Sequence, residues 1–407
     1  MAIHQPKINS MIQIAYVFTS AGKVAGSVQT KVMNQISALN EIGVKCKGVF
    51  FTNEDVSNSE NTNIEFVKVD KVTNAWFRSV RQKAIYHQAI LQYFKDQTHF
   101  DFIYCRYPGA SRNLFKWTRS NRSKVFFEHV TAELFEIKLN SKDHPLRLKL
   151  SNLLSRIEFY YLPAFQEMYY GKKIRKNALF GICNSSNIAE YENKVGGSSY
   201  IQIINGDSVN TQAFNLKKGF PDDEEFKMVF LKGASTNADF NGLDRVFEGL
   251  ANYKGNAKIK FYLYGKNLQN EKLMIDRLKI NDKVITGEYI DKTEIDRLVE
   301  EMNLGISALA VHRKGLKETT TIKSREYFAR GLPFIYGHRD PDLSDRSELK
   351  NMCLELAGND QPIDFEEVIK WYDQIDKANV SEQMRDFAMK NLDYKVKLKR
   401  IVNKLEE

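Results

Sequence analysis

Short apolar runs and amphipathic segments alternate along the chain. The first apolar run, 11–18, ends in the small residues of a loop at 20–27. Apolar residues between 28 and 39 then recur at the spacing of a helix, and a second apolar run covers 44–51. A continuous apolar run is typical of a strand buried on both faces in a parallel sheet. The pattern therefore predicts that the chain opens with a β-α-β unit.

The alternation continues in two blocks, separated by the charged segment 214–226. The first block has further predicted strands at 102–105, 124–127, 179–183 and 200–204. In the second block, the predicted strands are 228–231, 258–264, 284–286, 304–308 and 333–336, and the predicted helices are 243–253, 271–278, 292–302 and 321–330. The chain ends in a predicted charged helix at 381–407.

This order predicts an α/β protein with two doubly wound, Rossmann-like domains that face each other across a cleft. We place the N-terminal domain at 1–213, a linker at 214–226 and the C-terminal domain at 227–380. We expect the helix at 381–407 to pack back on the N-terminal domain. Because such sheets bind ligands at the carboxyl ends of their strands, a substrate is expected in the cleft.

Composition narrows the class of protein. The chain has 407 residues, of which 43% are apolar and 27% charged, which excludes a disordered chain and a fibrous repeat. A membrane-spanning helix needs about 20 apolar residues, and no such stretch occurs. Residues 1–10 lack the order of a secretory signal, so we expect a cytoplasmic protein. The spacing of the 4 cysteines and 7 histidines predicts neither a disulfide nor a metal site.

Positive charge is concentrated in the N-terminal half. The net charge is +9, and residues 1–205 carry 27 Lys and Arg against 16 Asp and Glu. Such an excess attracts phosphate-rich partners, namely nucleic acid, anionic lipid head groups or a diphosphate-linked substrate. Within this half, the segment 146–177 is also aromatic and ends in a basic run. That pattern fits a membrane-interface helix and fits equally a solvated basic face over an aromatic core.

The loop at 20–27 carries no complete nucleotide-binding motif. Gly22 and Gly26 are four residues apart, which does not match G-x-G-x-x-G, and no Gly-Lys-Ser/Thr is present. Two interpretations remain open. The loop and the helix after it could bring backbone N–H groups to a phosphate or sugar, or the small residues could only allow tight packing.

The most informative stretch is 315–337. Glu318 lies in a loop, and Glu326 lies in the helix that follows it. Thr320 and Thr321 are expected to cap that helix, which leaves N–H donors for phosphate oxygens, and Lys323 adds a cation in its first turn. A carboxylate in the helix suits ribose hydroxyls, and one before the helix suits a sugar.

This stretch resembles glycosyltransferase family 4, the retaining glycosyltransferases of the GT-B fold. The family's E-x7-E signature stands here as Glu318 and Glu326, followed by Gly331-Leu-Pro333 and an apolar strand. Weaker matches occur in the family's order, at 25–26, 128–129, 181–186, 205–214 and 241–245. The resemblance spans nearly the whole chain and implies a nucleotide-sugar-binding C-terminal domain and an acceptor-binding N-terminal domain.

The resemblance also implies roles for individual residues. Glu326 would hold the donor ribose and Glu318 the donor sugar, and both Glu318 and His129 would be catalytic. His129 would lie near the reacting sugar, although a histidine at a strand end is by default a structural one. Thr320, Thr321 and Lys323 would neutralise the leaving diphosphate, and Gly26 would approach the donor.

Some positions depart from the family pattern. The usual Arg and Lys that bind the diphosphate are missing from the start of the second domain, and Lys232 and Arg245 are the nearby substitutes. Asp340 and Asp342 have the D-x-D spacing of metal-dependent transferases of another fold, but the proline between them favours a structural turn.

We therefore expect a retaining, metal-independent glycosyltransferase without a resident cofactor. Its donor would be a UDP- or GDP-linked sugar. The basic first domain favours a polyprenyl-diphosphate-linked saccharide as acceptor, as in surface polysaccharide assembly, at the inner face of an anionic membrane. Two alternatives are a sugar-nucleotide epimerase of the same fold and a non-catalytic partner subunit. Nucleic-acid binding ranks below both, because no recognisable module accompanies the basic stretch.

Overall fold

The computed structural model describes residues 11–20, 27–54, 63–73, 77–142, 156–197, 199–222, 224–233 and 239–407. The chain divides into two compact units. The first runs to Asn205 and also takes in Leu398–Glu407, and the second is Gly206–Lys397. Each unit has its own parallel sheet and its own apolar core.

Seven parallel strands form the sheet of the first unit, in the order β3-β2-β1-β4-β5-β6-β7. The strands are β1 (Gln13–Ser20), β2 (Lys45–Thr52), β3 (Ile64–Lys68), β4 (Phe102–Arg106), β5 (Val125–His129), β6 (Gly181–Cys183) and β7 (Gln202–Ile204). The helices are α1 (Ser27–Glu41), α2 (Arg78–Tyr93), α3 (Arg112–Ser120), α4 (Glu133–Lys142), α5 (Leu162–Gln166), α6 (Lys172–Arg175) and α7 (Ser186–Gly196).

Helices α5 and α6 belong to one continuous helical segment, 157–175. Two π-helical turns, Ile157–Tyr161 and Glu167–Gly171, alternate with the two α-helical stretches. We call this part of the chain the π segment. One side of it is buried in the first unit, because Glu167, Ile174 and Arg175 are almost completely inaccessible to solvent.

Six parallel strands form the sheet of the second unit, in the order β10-β9-β8-β11-β12-β13. The strands are β8 (Glu225–Lys232), β9 (Lys258–Gly265), β10 (Val284–Gly287), β11 (Leu304–Ile306), β12 (Phe334–Tyr336) and β13 (Cys353–Glu355). The helices are α8 (Leu243–Asn252), α9 (Gln269–Leu278), α10 (Lys292–Glu300), α11 (Ile322–Arg330), α12 (Phe365–Tyr372), α13 (Val380–Phe387) and α14 (Tyr394–Glu406).

Both sheets reverse their strand order at their first strand. In the first unit β1 pairs with β2 on one side and β4 on the other, and in the second β8 pairs with β9 and β11. This reversal is the switch point at which open parallel sheets bind ligands beyond the carboxyl ends of their strands. The predicted fold class, two doubly wound Rossmann-like α/β domains, is confirmed.

The segment predicted as a linker packs within the second unit where it is described. Lys217 is buried, its backbone N–H donates to the Arg330 carbonyl, and its Nζ donates to the Val299 and Glu300 carbonyls. All four cysteines are buried free thiols, as their spacing predicted. Within the described ranges, no helix combines the length and apolar character that crossing a membrane requires.

Candidate functional site

The start of α11 is the centre of the candidate donor site in the second unit. Thr321 precedes the helix, and its hydroxyl accepts a hydrogen bond from the Ser324 N–H at 3.3 Å. The Ser307 hydroxyl, just after β11, contacts the hydroxyls of both Thr321 and Ser324 at 2.9 Å. The predicted cap is therefore present. The N–H groups of Ile322 and Lys323 lie before the first intrahelical partners and point out of the helix end.

Thr320 makes a different contact from the one predicted. Its hydroxyl accepts from the Asp207 N–H at 2.9 Å and donates to the Asp207 carboxylate at 3.1 Å. A side chain on Gly206 would collide with Asp342 and Thr320, at 2.4 and 2.6 Å from the added carbon. The Asn-Gly-Asp stretch thus fits closely against the start of α11, and the hydroxyls of Thr320 and Thr321 both have structural partners.

Glu326 and Lys323 lie on the same side of α11. Neither side chain has a hydrogen bond or ion pair to any other described residue, and the Lys323 ammonium lies 4.5 Å from the centre of the Phe230 ring. Burial raises the pKa of Glu326 to about 7, although Lys323 lowers it. Burial also lowers the pKa of Lys323 to about 8, against the influence of Glu326. An unpaired carboxylate and an unpaired ammonium are thus held half-buried, one helical turn apart.

Glu318 lies next to the segment that follows β12. Its backbone forms a single parallel bridge with Arg339, and its carboxylate lies 3.5 Å from the Arg339 Nε. The Glu318 side chain is almost buried, whereas Arg339 is half exposed and also binds Asp345. Arg339 is a neighbour of Glu318 that the sequence analysis did not identify.

Lys232 and Arg245, the predicted substitutes for the diphosphate cations, are both buried and bonded. The Lys232 Nζ lies 2.6 Å from the Glu271 carboxylate and 2.9 Å from the Asn267 carbonyl. Arg245 donates to the carbonyls of Gln361 and Leu309 and to the Asn359 side chain. In this conformation both cations hold loops of the second unit together.

A buried ionic network supports α11 from within. Arg325 is fully buried, donates to the carboxylates of Asp340 and Asp342, and binds the Asp207 carbonyl. Lys397 binds Asp342 as well. These contacts agree with the structural role predicted for the Asp340-Pro-Asp342 turn. Arg325 itself was not predicted, because one arginine inside the glutamate motif carries no signal of burial.

His129 ends β5 and lies inside a second buried cluster, in the first unit. The ring is completely buried, with Nε2 2.8 Å from the Tyr200 hydroxyl. Its Nδ1 lies 3.3 Å from the Glu192 carboxylate and 3.4 Å from that of Glu133. In this conformation the imidazole has no exposed surface.

Arg175 holds the carboxylates of this cluster together. Its guanidinium binds both Glu192 oxygens and contacts Glu167 at 2.7 Å and Glu133 at 3.3 Å. Burial raises the pKa of Glu192 and of Glu133 to about 7, and burial lowers the pKa of His129 to about 4. Three crowded carboxylates facing one guanidinium therefore retain a proton near neutral pH.

The same cluster is the place where the described residues bring metal-ligand types together, through His129, Glu133 and Glu192. The Arg175 guanidinium, however, already binds the two carboxylates that an ion would need. A second positive charge at that place would be repelled. The donor set therefore fits an ion-pair network better than a metal centre. Gly26, the remaining predicted site residue, lies outside the described residues.

Comparison with known proteins identifies the fold. No model of a known protein family matches the sequence, and no curated protein is significantly similar to it. Solved structures do match over almost the full length. Lipopolysaccharide outer core galactosyltransferase WaaB, in its apo form, is 13% identical with a TM-score of 0.61, covering 97% of this chain and 99% of its own.

Two further structures extend the comparison. Sucrose-phosphate synthase from Thermosynechococcus elongatus is 12% identical, with a TM-score of 0.65 and coverage of 97% and 99%. Anabaena HepE in complex with UDP-glucose is 12% identical, with a TM-score of 0.59 and the same coverage. The chain therefore has the GT-B fold, the architecture expected from the sequence.

Proposed function

We propose that the protein is a retaining glycosyltransferase that uses a nucleoside-diphosphate sugar. The observation that carries this proposal is the half-buried, unpaired pair formed by Glu326 and Lys323 at the start of α11. An anion at a helix N-terminus is stabilised by the N–H groups and by the helix dipole. Similarity of fold to WaaB and to HepE with bound UDP-glucose supports the same assignment.

Each group at α11 has a task in this proposal. The Glu326 carboxylate accepts hydrogen bonds from the donor ribose hydroxyls. The Lys323 ammonium and the first N–H groups of α11 stabilise the charge that develops on the diphosphate as it leaves. Glu318 contacts the donor sugar, with Arg339 beside it to orient the carboxylate or to meet the diphosphate. Lys232 and Arg245 keep α11 and its neighbouring loops in place.

For His129 we propose an indirect role. Direct contact with the sugar would require the ring to leave Tyr200 and Glu192. Its place at the end of β5, at the carboxyl edge of the first sheet, suits a residue that positions the acceptor-binding loops. Retention of configuration and independence of a metal ion remain part of the proposal, as the family resemblance implies.

A thermal-shift measurement with UDP, GDP, ADP and their common sugars tests the donor site. One nucleotide should raise the melting temperature of the wild type, and Glu326→Ala should reduce that rise strongly. Asp276→Ala, which removes an exposed carboxylate from α9 of the same unit, is the control and should keep the full rise. If no nucleotide shifts the wild type, the non-catalytic partner becomes the better assignment, because the substitute cations are already bonded.

A second observation bears on the acceptor. The outer side of the π segment exposes Tyr161, Phe165, Met168 and Tyr169, each at least half exposed. The ammonium of Lys173 lies 3.8 Å from the centre of the Tyr169 ring. We propose that this aromatic and basic face meets an anionic membrane interface, where a polyprenyl-diphosphate-linked saccharide would be the acceptor.

Vesicle sedimentation at low salt tests the membrane contact. The wild type should bind vesicles that contain anionic phosphatidylglycerol and ignore pure phosphatidylcholine. The double variant Phe165→Ser, Met168→Ser should bind roughly tenfold less tightly or worse, because each apolar side chain contributes by burial. Leu273→Ser is the control, because Leu273 is equally exposed but lies on α9. Equal loss in the control variant would contradict a specific face.

A further inference from the structure

A cavity of about 570 Å³ lies in the first unit, within a single domain. Residues at or after the ends of β1, β2, β3 and β4 contribute to its wall, as do the first turns of α2 and the start of the π segment. Its lining residues include Thr19, Asn53, Glu54, Lys71, Arg78, Lys83, His87, Pro108 and Glu158. The cavity therefore lies at the carboxyl edge of the sheet, where parallel sheets bind ligands.

Three cations face this cavity without a partner. Lys71, Arg78 and Lys83 form no hydrogen bond or ion pair with any residue the structure describes. Lys83 is the most enclosed of them, and burial lowers its pKa although the Glu167 carboxylate opposes that effect. A cation that is kept enclosed and unpaired is costly to the protein, so its presence at a cavity points to an anionic ligand.

His87 adds a second, independent feature. The ring is fully buried and lines the cavity, and its Nδ1 lies 2.6 Å from the Ser111 hydroxyl. Its Nε2 has no hydrogen bond of normal geometry, and neither has the Oδ1 of Asn53 on the same wall. Burial and Lys83 lower the pKa of His87 to about 3, so the imidazole is neutral. A neutral imidazole and an amide oxygen are suited to sugar hydroxyls.

The start of α2 strengthens the anionic character of the ligand. Phe77 precedes the helix and offers no side-chain cap, and no acidic residue lies in the first turn. The Glu158 carboxylate accepts from the Ser79 N–H at 3.0 Å, which shows that this helix end attracts a carboxylate of the chain itself. Glu54 and Glu158 also supply acceptors for hydroxyl groups.

We propose that this cavity binds the acceptor, and that the acceptor is a phosphorylated sugar. The phosphate would contact Lys83, Arg78 and Lys71, and the hydroxyls would contact the carboxylates, His87 and Asn53. This inference rests on the proposed transferase function. A free sugar phosphate and the sugar diphosphate of a lipid-linked saccharide share the required chemistry, so the experiment distinguishes these two sources.

Calorimetric titration of the full chain tests the cavity with three soluble probes: glucose 1-phosphate, glucose and inorganic phosphate. Glucose 1-phosphate should bind more tightly than either fragment, and salt should weaken it. Lys83→Met should lower its affinity roughly tenfold or more, since a charge-assisted hydrogen bond is lost. Lys116→Met, on α3, should have no effect. Tighter binding of a short-chain prenyl-diphosphate sugar would identify the lipid-linked source.

Two results would overturn the inference. One is that neither phosphorylated probe binds; the other is that Lys83→Met and Lys116→Met behave alike. The UDP thermal shift is measured on the same variants and should be unchanged by Lys83→Met. A chain that binds UDP but no phosphorylated sugar refutes only the cavity proposal, whereas a chain that binds the sugar phosphate but no nucleotide refutes only the transferase proposal.

Discussion

At the scale of single residues, both candidate sites depend on charges that burial has moved towards neutrality. Glu326 has a pKa of about 7 and Lys323 of about 8, so each changes its charge close to physiological pH. In the cluster around His129, crowding and burial keep a proton on the carboxylates instead of on the imidazole. The two arrangements use the same physics, but the first is unpaired and the second is closed.

Donor binding should therefore have a bell-shaped dependence on pH. Glu326 must be ionised to accept ribose hydroxyls, so affinity rises as pH increases through about 7. Lys323 must be protonated to meet the diphosphate, so affinity falls as pH increases through about 8. Titration with the best-binding nucleotide sugar checks this, because its diphosphate diester does not titrate in the range. Glu326→Gln should flatten the acidic limb and leave the alkaline one.

Arg175 should be the most sensitive position of the first unit. Arg175→Met leaves three buried carboxylates without their cation, and it should lower the free energy of unfolding by about 3–5 kcal/mol. Urea unfolding followed by circular dichroism measures the loss. Lys172→Met, three residues earlier and exposed, should change stability by less than about 0.5 kcal/mol. Similar effects of the two substitutions would contradict a supporting role for the guanidinium.

At the scale of elements, α11 is where local sequence and tertiary packing agree best. Thr321 caps its start, and Gly331 ends it with φ at 71°. A side chain at Gly331 would also meet the Ser381 backbone at 2.7 Å, which ties the end of α11 to the start of α13. The helix that carries the donor site is thus fixed at both ends.

Gly331→Ala should therefore cost more than the loss of backbone freedom alone. We expect a decrease of about 2–4 kcal/mol in the free energy of unfolding, from strain at positive φ and from displacement of α13. Gly43→Ala is the matched control, because Gly43 has φ at 90° but open space around it. It should lose only about 1–2 kcal/mol. Chemical denaturation of both variants gives the comparison, and equal losses would argue against the Ser381 contact.

The sequence predicted elements well where the signal was local. The strands and helices around α11 were found because their apolar periods, Thr caps and glycine ends lie within a few residues. The strand β3, with its sequence IEFVK, and the helix α2, rich in charged and polar residues, were missed. Their apolar positions are sparse, so only packing against the rest of the first unit reveals them.

At the scale of the whole molecule, two units with separate cores should respond separately to their ligands. A nucleotide should slow hydrogen exchange in peptides over 318–326, whereas glucose 1-phosphate should slow it in peptides over 78–87. Peptides over α12 should remain unchanged with either ligand. Mass-spectrometric hydrogen exchange measures all three regions at once. Protection of 78–87 by the nucleotide alone would contradict the assignment of the cavity to the acceptor.

The two-domain fold could be predicted from the sequence because alternation of strand and helix survives without any long-range information. The donor glutamates could be predicted because their spacing lies within one motif. The cavity could not, since its cations come from positions 71, 78 and 83 and its buried histidine from 87, in a region without a motif. Nor could the pairing of Arg175 with Glu192, which only the sheet order brings together.

The π segment restricts which sequence changes the chain can accept. Each π turn holds one residue more than an α turn would, as though a single residue had been inserted into a helix. Deleting one residue there would rotate everything after it by about 100°. Arg175 would then turn away from its carboxylates, and the exposed aromatic face would turn towards the core. Homologous chains should therefore vary freely in composition along this segment but keep its length.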